Sequence, residues 1–298
     1  MTIKKTDWST ERSALKIVRK KVFIEEQRIP EDEEWDSLDS SAVHILAQRR
    51  NQPIGCARIT HSNKIGRLAV LPEFRKQHYA TGILKEAESH ILANNNKLAE
   101  LDAQAAAYLF YFRNGYKPTG YYYYDVGIPH LRMEKTLGGH PRESKEFIFG
   151  EDSKIVKTQD EKEAQPAASC WIQIATKQAK QHIEVYLADT EHQTLKDSTT
   201  LSILMAFIHQ SRFTKIDIYS PDQFGSILHP LNRYIKNSGG RIKLHKTESK
   251  ATPQKSHIIF DKTAYVRFNK TEAECCFKAD MMFLRRLQNL HASKLQIA

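Results

Sequence analysis

The loop between a predicted buried strand and a predicted helix contains residues that suit anion binding. The apolar strand ends at Val70, Pro72 turns the chain, and a helix is predicted to begin near Ala80–Thr81. The loop reads Arg75-Lys76-Gln77-His78-Tyr79-Ala80. Backbone N–H groups and the positive dipole end at a helix N-terminus attract anions, and Arg and Lys add charge suited to phosphate. Because many strand–loop–helix units carry an arginine, the loop alone does not separate an anion site from an ordinary turn.

An aromatic helix segment follows the next predicted strand. Asp102-Ala103-Gln104 precedes a run from Ala107 to Tyr116, and the loop and this run together resemble the GNAT superfamily of N-acetyltransferases. In that family the pattern R-x-x-G-x-G/A follows the fourth strand, and A-x-x-F-Y-x-x-x-G-F follows the fifth. The matching residues are Arg75, His78 and Ala80 for the first pattern, and Ala107, Phe110, Tyr111, Gly115 and Tyr116 for the second.

Further motifs resemble a bacterial GNAT subgroup of mostly uncharacterised acyltransferases. They are Val22–Gln27, the pair Asp36 and Asp39, Ile65–Arg67 and Gly127–His130, and with them the match covers roughly residues 10–137. The resemblance implies a mixed, mostly antiparallel sheet flanked by helices. We therefore expect an α/β (α+β) fold, with a GNAT-like domain in residues 1–139.

The resemblance implies that acetyl-CoA is the co-substrate and that no metal takes part. The backbone amides of Gln77–Thr81 would bind the pyrophosphate, Arg75 would flank it, and main-chain groups of Leu68 and Val70 would pair with the pantetheine arm. Tyr111 would be a catalytic residue that protonates the departing thiolate, although a tyrosine that fills the core gives the same pattern. The implied cofactor-binding residues are Leu68, Ala69, Val70, Arg75, Lys76, Gln77, His78, Tyr79, Ala80, Thr81, Gln104 and Phe110.

One position departs from the family pattern. His78 stands where the pattern has glycine, which lets the backbone approach phosphate closely because it lacks a Cβ. Either the His78 side chain points to solvent and cofactor binding is kept, or the affinity for the cofactor is weakened or lost.

The residue that deprotonates the acceptor amine is less clearly marked. Glu25, Glu26 and His130 are candidates, and we take Glu26 as the catalytic base and Glu25, Gln27 and His130 as substrate-binding residues. A solvated helix end explains the glutamates equally well, and a lone histidine is commonly structural. An acidic stretch from Glu31 to Asp39 either steers a cationic amine towards the site or forms a solvated loop.

The second half of the chain is predicted to be a smaller α/β domain. Its polar entry, including the run Lys157–Gln165, predicts a linker over residues 140–168, and the domain then spans residues 169–298. A strand is predicted at Trp171–Ala175 and a helix at Phe224–Lys236. The pattern faintly resembles phospholipase-D-like modules.

The catalytic motif of such a module is incomplete here. It needs H-x-K followed by an aspartate, but counting from His257 those positions hold Ile259 and Ala264, and Asp261 and Lys262 are misplaced. We therefore expect a basic module that binds phosphate-bearing ligands or only packs against the first domain, rather than a phosphodiesterase.

Composition excludes several classes of protein. The chain has 298 residues and a formal net charge of +10, and it contains no apolar stretch near the roughly 20 residues of a membrane helix. Its four cysteines form no CxxC pair, which favours a cytoplasmic protein with reduced thiols. We predict transfer of an acetyl group to a small-molecule amine or peptide acceptor. The alternative is a decayed acetyltransferase fold that binds nucleic acid or another polyanion, although no nucleic-acid motif is present.

Overall fold

The computed structural model describes residues 2–139, 147–158, 160–188, 198–220, 235, 238–246 and 255–292. Its helices are α1 (Trp8–Arg19), α2 (Glu31–Glu34), α3 (Tyr79–Ala93), α4 (Tyr108–Arg113), α5 (Glu161–Gln178), α6 (Ser198–Gln210) and α7 (Met281–Ala292). A π-helical segment, Lys20–Glu26, continues α1. The strands are β1 (Thr2–Thr6), β2 (Val43–Arg49), β3 (Gln52–Ile59), β4 (Lys64–Val70), β5 (Leu98–Gln104), β6 (Lys117–Asp125), β7 (Ile128–Thr136), β8 (Val156–Lys157), β9 (His182–Tyr186), β10 (Lys215–Ser220), β11 (Ile242–Lys246), β12 (Ser256–Phe260), β13 (Ala264–Phe268) and β14 (Ala273–Cys276).

The strands form two sheets. The first has the order β1-β2-β3-β4-β5-β7-β6; its first four strands are antiparallel, and β4 and β5 are parallel. The second has the order β11-β10-β9-β12-β13-β14-β8, with β9, β10 and β11 parallel and the other neighbours antiparallel. This mixed architecture confirms the predicted fold class.

Helix α1 is amphipathic and packs its apolar face on the first sheet. Leu15 and Val18 are fully buried and join a core cluster with Leu46 and Cys56. The helix begins after Asp7, whose carboxylate accepts a hydrogen bond from the Thr10 amide at 2.8 Å. Asp7 is therefore the N-cap of α1, a position at which an aspartate side chain accepts hydrogen bonds from the first-turn amides.

Helix α3 approaches the first sheet closely at a glycine. A Cβ built on Gly55 in β3 would lie 2.7 Å from Cδ1 of Ile83 and 2.9 Å from the carbonyl oxygen of Ala69. Ile83 and Leu84, on the face of α3 that packs on the sheet, are fully buried. Because Gly55 has no side chain, α3 can lie close against β3. Its N-terminus then lies next to the end of β4.

The predicted strand at Trp171–Ala175 is wrong, because these residues lie in α5. The helix begins after Asp160, inside the predicted linker, and Asp160 caps the Lys162 amide at 2.9 Å. Nearly every residue from Ala164 to Thr176 is buried. A helix buried around its whole circumference loses the 3.6-residue pattern of an amphipathic helix, and the alternation in Trp-Ile-Gln-Ile-Ala then resembles a strand. The helix predicted at Phe224–Lys236 lies outside the described residues, apart from residue 235.

The described chain divides into two compact units that are interleaved in sequence. The first holds residues 2–103, 110–119 and 132–139, and the second holds 104–109, 120–131 and the residues from 147 onward. Within the second unit α5 packs on β6, where the Trp171 Nε1 donates to the Tyr122 hydroxyl at 3.2 Å and the Tyr124 and Ser169 hydroxyls lie 2.7 Å apart. The predicted domain boundaries stay a prediction. No described helix combines the length and the apolar character needed to cross a membrane.

Candidate functional site

The edge of β4 that faces β5 is open over most of its length. The two strands pair only at Lys64↔Glu100 and Ile65↔Leu101, so within these fully described strands Gly66–Val70 has no β5 partner. Against β3 the register shifts, and Arg67 and Leu68 together face Ala57. A bulge of this kind bends a strand and ends its pairing. Main-chain groups along Leu68–Val70 are thereby left for an extended partner.

The loop after β4 contains two non-glycine residues in the left-handed region. Lys76 has a φ of 61°, and His78, the N-cap of α3, has a φ of 63°. The first bond of the helix runs from the Gly82 amide to the His78 carbonyl at 3.1 Å. The amides that precede this turn have no acceptor within the helix, and alternation of handedness turns successive N–H groups to one side as an anion-binding nest. His78 thus keeps a conformation that glycine adopts without strain.

Arg75 links the loop to two other segments. Its Nε donates to the Val70 carbonyl at 3.0 Å, and its Nη1 and Nη2 donate to the two carboxylate oxygens of Glu26 at 2.8 and 2.6 Å. The Glu26 carboxylate, acting first through this hydrogen bond, raises the pKa of Arg75. The predicted cofactor residue and the predicted base are therefore bonded to each other. The Val70 carbonyl already accepts one hydrogen bond, so we expect a ligand at Val70 to pair first with the N–H.

Tyr111 lies on α4 among other aromatic rings. Its ring centroid is 5.0 Å from that of Phe110 and 6.0 Å from that of Tyr116, both in edge-on contacts. Burial raises the pKa of the Tyr111 phenol. Because burial disfavours the phenolate, Tyr111 holds its proton throughout the neutral range.

Comparison with known proteins identifies the region that contains this site. Residues 11–137 match the family model described as an acetyltransferase (GNAT) domain. A putative acetyltransferase of Bacillus subtilis is 34% identical over 124 residues, which cover 40% of this chain and 84% of that protein. The chain belongs to the GNAT acetyltransferase family.

Two further proteins are similar to part of this chain. The uncharacterized N-acetyltransferase YjcF of Bacillus subtilis is 33% identical over 122 residues, covering 40% of this chain and 87% of that protein. The crystal structure of Escherichia coli ElaA is 26% identical, with a TM-score of 0.42, and covers 45% of this chain and 99% of that one.

Carboxylates of the acidic stretch of the GNAT region form ion pairs with arginines. Arg19 Nε contacts the Glu34 carboxylate at 2.5 Å and Arg19 Nη1 contacts Asp39 at 2.6 Å, with all three side chains almost fully buried. Arg58 Nη1 contacts Asp36 at 2.6 Å. Burial raises the pKa of Glu34 despite its arginine neighbours. Glu34 and Asp39 are therefore buried supports of the fold, whereas Glu31, Asp32, Glu33 and Asp36 are exposed, Asp36 while paired with Arg58.

The remaining predicted site residues lie in two places. Glu25 and Gln27 flank Glu26 at the end of the π-helical segment, where the Gln27 amide donates to the Val22 carbonyl at 3.1 Å. Gln104 and His130 belong to the second compact unit. His130 is 8% exposed, its Nδ1 lies 2.9 Å from the Ile128 carbonyl, and its ring stacks on Tyr123. These contacts favour a structural histidine.

The residues singled out in the second half have structural contacts of their own. His257 is 1% exposed in β12 and stacks on the Tyr186 ring at 4.6 Å. The Asp261 carboxylate accepts hydrogen bonds from the amides of Lys180, Gln181 and His182 at 2.6, 3.0 and 2.7 Å. Asp261 therefore caps the turn that leads into β9.

Proposed function

We propose that the GNAT region is an acyltransferase that transfers an acetyl group from acetyl-CoA to an amine by direct attack in a ternary complex. The observation that carries this proposal is the open β4 edge, which ends directly at the left-handed loop and the N-terminus of α3. An extended chain with a pyrophosphate at one end matches both features. Family membership does not favour the alternative of a decayed protein that binds polyanions.

The residues present fit acetyl-CoA. Main-chain groups of Leu68 and the Val70 N–H would hold the pantetheine amides, and the amides of Gln77–Thr81 would hold the pyrophosphate. The remaining contacts would come from Ala69, Arg75, Lys76 and Phe110. When bound, acetyl-CoA supplies an activated thioester. Binding both reactants in one geometry would provide much of the rate.

Two side chains would move the protons. Tyr111 would hold a proton at its Oη and donate it to the leaving sulfur; burial raises its pKa, so the phenol is protonated at neutral pH but is a weaker acid than an exposed tyrosine. Glu26 would accept the proton of the attacking amine, with Glu25 and Gln27 contacting the acceptor. The acceptor is a small amine or a peptide, and the location we propose is a bacterial cytoplasm.

Calorimetry with acetyl-CoA tests the cofactor. We expect micromolar binding by the whole chain and weaker binding by Arg75→Ala. No binding by the wild-type chain would overturn the proposal.

Replacing Tyr111 by phenylalanine tests the acid. We expect kcat to fall by about 10²–10⁴-fold, the usual contribution of a general acid, while acetyl-CoA affinity stays within about twofold. The measurement is thiol release with a panel of amines. Unchanged turnover in Tyr111→Phe would assign the ring a packing role.

A further inference from the structure

The guanidinium of Arg75 and the carboxylate of Glu26 form a bidentate ion pair. Each terminal nitrogen of Arg75 donates to one oxygen of Glu26, at 2.8 and 2.6 Å, and Nε donates to the Val70 carbonyl. Val70 ends β4, and Glu26 ends the π-helical segment 49 residues before Arg75. The pair therefore fixes the direction of Arg75 at the start of the anion-binding loop.

A guanidinium binds a carboxylate and a phosphate with the same two parallel hydrogen bonds. The Glu26 carboxylate thus takes the place on Arg75 that two phosphate oxygens would take. We infer that Glu26 is a determinant of cofactor affinity: the pyrophosphate of the cofactor exchanges with Glu26 on Arg75, and cofactor binding releases the Glu26 carboxylate. This inference rests on the proposed function, because it takes acetyl-CoA as the ligand.

The solvent exposure of the pair favours such an exchange. The side chains of Arg75 and Glu26 are each 41% exposed, and ion pairs this exposed contribute little to stability. A pyrophosphate on Arg75 would also meet the amides of Gln77–Thr81, which the Glu26 carboxylate does not contact among the described residues. The cofactor would therefore make more hydrogen bonds to this loop than the Glu26 carboxylate makes.

The exchange connects the two ends of the proposed reaction. While Glu26 is bonded to Arg75, both oxygens of its carboxylate accept hydrogen bonds from the guanidinium. Release by the cofactor makes the same carboxylate available as the base. Because coupling between two binding events is reciprocal, removing the Glu26 charge must strengthen cofactor binding.

Calorimetry with coenzyme A on the whole chain tests this. The variants are Glu26→Gln, Arg75→Ala, the double variant, and Glu73→Gln as a matched control. Glu73 is an exposed carboxylate that acts on Arg75 through charge but makes no hydrogen bond to it in the described structure. We expect coenzyme A to bind about three- to fivefold more tightly to Glu26→Gln, with less than a twofold change in Glu73→Gln.

The double variant separates exchange on Arg75 from a general charge effect. In the Arg75→Ala background, Glu26→Gln should change the affinity by less than twofold, because no guanidinium is left to compete for. Circular dichroism of each variant checks folding.

The outcomes distinguish this inference from the proposed function. Weaker or unchanged binding by Glu26→Gln, with normal binding by the wild-type chain, would overturn the exchange alone and make Glu26 a support that orients Arg75. An equal gain in Glu73→Gln would also overturn it. No binding by any variant would overturn the exchange and the proposed function together.

Discussion

His78 has a φ of 63° and a ψ of 10°, although its residue type departs from the glycine of the family pattern. A non-glycine residue in this region costs about 1–2 kcal/mol, so the loop keeps a conformation that its sequence disfavours. Strain of this kind persists where the surrounding structure requires a particular backbone. Cys56, by contrast, is not among the residues with positive φ; it is buried, and burial raises the pKa of its thiol to about 12.

Replacing His78 by glycine should relieve that strain. We expect His78→Gly to raise the free energy of unfolding by about 0.5–1 kcal/mol, measured by urea denaturation. Gln77→Gly is the control, because Gln77 is not among the residues with positive φ and gains nothing from glycine. A loss of stability in His78→Gly would show that the imidazole makes a contact worth more than the strain.

Helix α3 and strand β4 together define the candidate site, and each depends on one local feature. The bulge at Arg67 and Leu68 opens the β4 edge, and the bare Cα of Gly55 lets α3 settle against the sheet. Only with both in place does the positive end of α3 lie at the end of the open edge. The site is therefore a property of two packed elements.

A side chain at Gly55 should disturb that packing. Gly55→Ala puts a Cβ 2.7 Å from Ile83 Cδ1 and 2.9 Å from a backbone oxygen, and overpacking of this kind costs about 1–3 kcal/mol. Gly66→Ala in the neighbouring strand is the control, because nothing lies within 4 Å of its added Cβ. Thermal unfolding measures both variants, and equal stability would mean that α3 shifts freely.

Across the whole molecule, contacts between distant segments decide which charged and aromatic groups lie on the surface. In the first unit, Arg19 joins α1 to Glu34 and Asp39. In the second unit, the rings of His257, Tyr186, Tyr219 and His245 stack across four neighbouring strands with centroids 4.5 or 4.6 Å apart. Cross-strand pairs of this kind are a main source of sheet stability.

Loss of Arg19 should destabilise the first unit strongly. Arg19→Met leaves Glu34 and Asp39 buried without this partner, and breaking a buried pair costs about 3–5 kcal/mol. Arg12→Met on the same helix is the control, because Arg12 is exposed and we expect a change within about 0.5 kcal/mol. Denaturant titration gives both values.

The same variant should acquire a pH dependence of a defined sign. Burial raises the pKa of Glu34 above its unfolded value, so protonation favours the folded state and stability rises as pH falls. Without Arg19 this effect grows, and the loss in Arg19→Met should be smaller at pH 5 than at pH 8. A loss that is equal at both pH values would contradict the assignment of Glu34 as a buried, desolvated carboxyl.

From the sequence alone we predicted the fold class of the GNAT region, the strand that ends at Val70, the helix after it and the resemblance to the family, because apolar periods and ordered motifs are local, but not the strand β1. The sequence did not determine α5, since a helix buried all round has no polar face to reveal its period. Nor did it reveal that Glu34, Asp36 and Asp39 are paired with arginines, or that Glu26 holds Arg75 from 49 residues away. Those pairings depend on how segments remote in the chain meet in space, and only the tertiary structure sets those distances.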